Sequence, residues 1–129
     1  MATETAITLL GATSRALCAD ARDVNGTKFT QATTDTLTRT VTNVRTGAVL
    51  GEAQAALVVA DSIFDSEQAW ARYLPIGEGA DKWFNVRDLL PADLIPNEAC
   101  KLEIAYKLTP ATGPAVVWRF NVNVRPVRL

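Results

Sequence analysis

The sequence predicts an all-β protein built as an antiparallel β-sandwich, and three observations carry that expectation. The last third alternates apolar and polar residues with period two on both sides of a Pro/Gly turn. A stretch near residue 40 is dense in the β-branched residues that suit a pleated surface. Turn signals recur every ten residues or so, and no helical period runs beyond three turns.

Taken in chain order, the first 33 residues fit this scheme least well. Asn25-Gly26 is a strong hairpin-turn signal, yet Ile7 to Cys18 lacks clean alternation. Residues 1–33 are therefore expected to be either an N-terminal arm that orders against a neighbouring subunit or a first strand with a long lead-in. The sandwich domain proper is assigned to 34–129.

Thr34 to Val44 is predicted as a strand with its threonines at 34, 36, 38, 40 and 42 on one face. Arg45-Thr46-Gly47 is a turn, and Ala53 to Ala60 a short strand ending at Asp61. Ser62 to Arg72 reads as a helical turn or an ordered loop carrying Phe64 and Trp70 against the sandwich edge. Residues 77–81 are loop, and Lys82 to Arg87 is a strand with Trp83 or Phe84 inward. Leu89 to Pro96, apolar but interrupted by two prolines, reads as a crossover over the open end of a core.

The final hairpin is the clearest element. Cys100, Leu102, Ile104, Tyr106 and Leu108 take one face, with Lys101, Glu103, Ala105 and Lys107 on the other. After Thr109 to Pro114 the chain alternates again, placing Val116, Trp118, Phe120, Val122 and Val124 inward. Short strands at this spacing specify an immunoglobulin-like sandwich.

Composition narrows the function. A chain of 129 residues is one domain and can bury a core without metal or disulfide. Its 13 basic and 14 acidic residues leave a net charge of -1, which gives no basic surplus for nucleic acid. Histidine is absent, which removes His-based acid–base chemistry and His metal ligation. Arginine outnumbers lysine, a bias shared by protein interfaces and by GC-rich coding. The N-terminus has neither the basic region nor the apolar core of a signal peptide, and no apolar run is long enough for a membrane helix. Synthesis in the cytoplasm is the expectation.

Each chemical motif has a plainer reading that fits better. Gly77-Glu78-Gly79-Ala80-Asp81-Lys82 lacks phosphate-loop spacing and precedes no helix. Asp20, Asp23 and Asn25 miss the spacing of a calcium loop and suit turn chemistry. Asp61, Asp65 and Glu67 sit in a loop, where a solvated edge or cap is expected rather than a glycosidase pair. Asn25-Gly26-Thr27 matches a glycosylation sequon, which matters only on secretion. Cys18 and Cys100 have no metal-ligand spacing and are expected as small buried thiols, with a bridge the lesser alternative. No serine or cysteine has a base to activate it, so no catalytic residue, metal or cofactor is expected. Trp118 belongs to the core, whereas Trp70 and Trp83 are the candidates for exposed aromatics that anchor an interface or a sugar.

From Leu37 onward the chain resembles small immunoglobulin-like virion proteins of tailed bacteriophages. The resemblance runs through the Thr/Val strand, the Arg-Thr-Gly turn, Leu57-Val58-Val59-Ala60-Asp61 and Trp83-Phe84-Asn85-Val86. It continues through the Leu-Pro crossover and Tyr106-x-Leu108-x-Pro110-x-x-Gly113, into Trp118-x-Phe120-x-Val122-x-Val124. The layout is similar to the N-terminal domain of phage baseplate upper proteins, but no fibre or receptor-binding sequence follows here. The resemblance implies a non-enzymatic structural protein of the virion, a capsid decoration or cement subunit that bridges the major capsid protein or another virion protein. It implies a homo-oligomer, a trimer in that role, with no nucleic acid and no membrane as partner. Arg119 and Arg125 on the outward face, and Arg15 and Arg22 in the N-terminal region, are the interface candidates. A tail or baseplate adaptor is the alternative within that class. A carbohydrate- or ligand-binding module using Trp70 and Trp83 is the alternative outside it.

Overall fold

A computed structural model describes residues 2–11, 15–69 and 83–127. Among these, strands form two sheets: β1 (Ala2–Leu10), β8 (Val116–Arg125), β7 (Cys100–Pro110), β3 (Thr34–Asn43) and β4 (Val49–Ala56) in that order, and β2 (Arg15–Ala19), β6 (Trp83–Leu90) and β5 (Ile63–Ala69) in the other. All pairings are antiparallel except β1 on β8. The two sheets enclose one core, and the protein is an immunoglobulin-like β-sandwich.

The hairpin of β7 and β8 forms as the alternation requires. Leu102, Ile104, Tyr106 and Leu108 lie opposite Val122, Phe120, Trp118 and Val116, all turned to the core. Tyr106 stacks on Trp118 with ring centroids 5.5 Å apart and meets Phe120 edge-on at 6.0 Å. Gly113, at a φ of 100°, supplies the left-handed residue of the connecting turn.

Residues held open above as an arm or a first strand lie in the sandwich. Residues 2–10 run as β1 along β8, and Arg15–Ala19 pair with β6. Between them the chain turns at Gly11. A Cβ there would stand 2.6 Å from the Asn97 Cα and the Pro96 carbonyl, so only glycine lets the two segments touch.

Four expectations are corrected. The threonines of β3 do not all share a face. A register shift between Thr34 and Thr36 turns Thr34 inward, where its hydroxyl is buried without a partner. The strand expected at 53–60 begins earlier and stops at Ala56, and Val59–Ser62 forms a single helical turn, α1. The segment expected as a helical turn or loop from Ser62 becomes β5. Its register with β6 slips between Ile63 and Gln68, which hides the two-residue period in the sequence. The crossover also starts later, because β6 runs through Leu90 before a 3-10 turn at Ala92–Leu94 carries Ile95 into the core.

Candidate interaction surface

The outer face of the five-stranded sheet is the broadest regular surface that the strands build. Along β3 it carries Thr36, Thr38, Thr40 and Thr42; along β7, Lys101, Glu103, Ala105 and Lys107. Along β8 come Val117, Arg119, Asn121, Asn123 and Arg125. Register aligns them in rows, such as Thr40 beside Ala105 beside Arg119 beside Glu4. Four cations and two carboxylates share this face, in a chain that is slightly acidic as a whole. Arg119 approaches Glu103 at 3.5 Å. Lys101, Lys107 and Arg125 are exposed and have no ion-pair partner among the described residues. Small hydroxyl and amide side chains surround these cations, which stay hydrated in the free protein and offer charged N–H donors to a partner's carboxylates.

The four candidate arginines do not form one surface. Arg119 and Arg125 share the outer face of β8, six residues or roughly 20 Å apart along the strand. Arg15 opens β2 opposite Leu90 in the other sheet. Arg22 lies in the loop after β2 and is engaged there: its Nε donates to Asp20 at 3.2 Å and its Nη1 to the Gly26 carbonyl at 2.8 Å. Trp70 falls outside the described residues. Trp83 pairs with Ala69 at the start of β6, and of its side chain nothing is described.

The carboxylates singled out in the sequence take structural roles. Asp20 and Glu67 sandwich Lys28 at 2.9 and 3.0 Å, with Arg22 alongside, in a four-charge cluster that ties the 20–28 loop to β5. Asp23 accepts from the Asn25 and Thr27 amides, as expected of a turn. Asp65 accepts from the Gln31 amide, and the Gln31 side chain in turn donates to the Ile63 carbonyl.

A buried polar knot was not foreseen. Arg39 of β3 reaches across the core, its Nη1 donating to both oxygens of Asp88 on β6 at 2.9 and 2.7 Å. The Tyr106 hydroxyl donates to the same carboxylate at 2.5 Å. The Arg39 and Asp88 side chains are only 10% and 7% exposed, so the pair is closed to solvent. Burial, then the Asp88 carboxylate, push the Tyr106 hydroxyl well above its ordinary pKa, which keeps it a neutral donor. The sequence did carry a signal: Arg39 sits between Leu37 and Val41, and Asp88 between Val86 and Leu90, each charge on the core side of an alternating strand. Asn85 was missed likewise. Buried on β6, it accepts from the Ala21 amide and donates to the Ala21 and Phe29 carbonyls, pinning the 21–29 loop to the sheet.

Beside Arg39 a cavity of about 230 Å³ opens between β4 and the crossover after β6. Val41, Leu50, Ala55, Pro91 and Leu94 wall it, with Glu52 and Asp93 at the exposed rim. This is below the size of an ordinary small-molecule site, and its innermost charge is already paired with Asp88. Both cysteines are free thiols. Burial pushes Cys18 up to about 12 despite Arg87 and Arg15, and raises Cys100, so neither is an activated nucleophile. No protein-family model, curated protein or solved structure matches the chain.

Proposed function

We propose that the protein is a non-enzymatic structural subunit of a tailed-phage particle, decorating or cementing the capsid by docking on a neighbouring virion protein. The observation that carries this reading is the outer face of the five-stranded sheet, where Arg119, Arg125, Lys101 and Lys107 rise from a field of Thr, Asn and Ala. Such a face suits an acidic, flat protein surface. Contacts of modest strength add up when many copies bind around a shell. The virion assignment itself rests on the resemblance of the β3–β8 layout to phage immunoglobulin-like proteins.

Quantitative mass spectrometry of purified phage particles tests it. A copy number close to that of the major capsid protein fits decoration of the shell. A handful of copies moves the protein to the tail or its attachment point, and its absence from particles removes the virion reading. A charge reversal at Lys101 and Lys107, both to Glu, is expected to abolish incorporation while leaving the isolated protein folded.

A further inference from the structure

The free edges of the two sheets are not alike. On β4, the five steps from Leu50 to Ala55 span only two on β3, and Gly51 and Gln54 adopt positive φ. The pairing of β5 slips, and β2 is five residues long. Bulges, slips and short strands are what keep an edge from pairing with another chain. β1 has none of these. It runs nine residues in unbroken register with β8, without proline, and its one charge is Glu4.

Its backbone polarity can be read from the chain's own ladder. The Gly11 amide donates to the Arg125 carbonyl at 2.7 Å, while Leu10 is the register partner of Arg125. In a parallel ladder alternate residues bond the neighbour, so odd-numbered residues of β1 bond β8. The even-numbered residues therefore turn both N–H and C=O toward the rim, and no strand pairs there with Ala2, Glu4, Ala6 or Thr8 among the described residues.

We infer that this rim pairs with the same rim of a second copy, antiparallel, about a two-fold axis at Ala6. That register sets Glu4 against Thr8 of the other copy and Ala6 against its own equivalent. Glu4, Ala6 and Thr8 then all meet rim-facing residues, each pair exchanging two hydrogen bonds. A centre at Thr5 also matches rim-facing residues, Glu4 against Ala6 and Thr8 against Ala2, but it brings the two Glu4 side chains to diagonal positions on one face, about 7–8 Å apart. A centre at Ile7 sets Glu4 against Leu10 and leaves Ala2 unmatched. The register centred on Ala6 separates the two Glu4 carboxylates, puts alanine on the two-fold axis, and joins the five-stranded sheets into one. The rim is distinct from the outer face, so this pairing does not rest on the proposed function, and it sets a two-fold dimer in place of the trimer that the resemblance implies.

The test is the mass of the whole protein in solution by light scattering after size exclusion. The expected value at high concentration is twice the 13.9 kDa of one chain. Ala6→Pro removes a rim amide and no bond to β8, so it is expected to give a folded monomer. Thr8→Glu sets like charges across the axis and is expected to give a monomer as well; adding Glu4→Lys to it is expected to restore the dimer. The restoration depends on the register and stands even if Ala6→Pro fails to fold. A wild-type monomer or trimer overturns the inference, as does a dimer that survives both single substitutions or a double variant that stays monomeric.

Discussion

The two sheets of the sandwich are held by different means. In the five-stranded sheet the ladders do the work: β1 on β8 and β7 on β8 each pair residue for residue without a break. The three-stranded sheet has one short ladder, β2 on β6, and one that slips, β5 on β6, and leans on side chains instead. Asn85 fastens its outer loop, the Asp20–Arg22–Lys28–Glu67 cluster ties that loop to β5, and Asp88 bridges to the opposite sheet. Periodic sequence therefore suffices for one sheet, whereas the other depends on individual polar residues. The regular sheet is the one that can present a flat outer face.

Substitutions at the polar groups that hold the three-stranded sheet, on its own strands or across the core, break this comparison if they prove harmless. Asp88→Ala strands the buried Arg39 guanidinium and is expected to cost about 3–5 kcal/mol in urea unfolding. Tyr106→Phe removes one hydrogen bond to that carboxylate and is expected to cost about 1.5–3 kcal/mol. Asn85→Ala takes the side-chain partner from the Ala21 amide and the Phe29 carbonyl, while the Ala21 carbonyl keeps the Phe29 amide. A loss of about 1–3 kcal/mol is expected, with faster amide exchange confined to residues 20–30. Arg22→Ala removes only exposed contacts, to Asp20, Glu67 and the Gly26 carbonyl, and is expected to shift stability by no more than about 1 kcal/mol.

Alkaline unfolding sharpens the same contrast. Cys18 and Tyr106 both have raised folded-state pKa values, so each contributes stability that is complete below its unfolded pKa and declines as pH rises above it. For Cys18 that window runs from 9.0 to about 12. Stability measured against pH should be level up to that point and then fall. Replacing both cysteines by alanine, since Cys100 is raised from the same 9.0, should delay the onset to the range where an unfolded tyrosine ionises, near 10.0.

The division between the sheets also explains what could be read from the residues alone. Alternation gave β7, β8 and most of β3 because each has one wet and one dry face. β5 escaped because its slip against β6 breaks the period, and β1 because Ala and Thr at its outward positions blur the contrast with Ile7 and Leu9. Of the candidate site, Arg119 and Arg125 were legible from their place in an alternating strand. Arg22 was not, since its engagement by Asp20 and Glu67 depends on how a loop folds onto β5. The Arg39–Asp88 bridge needed two charges at core-facing positions to be considered together, 49 residues apart in sequence.

Lysine labelling read by mass spectrometry, on intact phage particles and on the free protein, tests the docking face most directly. Lys101 and Lys107 lie exposed on the outer face, while Lys28 belongs to the ion cluster by the other sheet. The account predicts that assembly protects Lys101 and Lys107 and leaves Lys28 at its free-protein level. Unchanged labelling of Lys101 and Lys107, with protection at Lys28, would contradict it and move the docking surface to the three-stranded sheet.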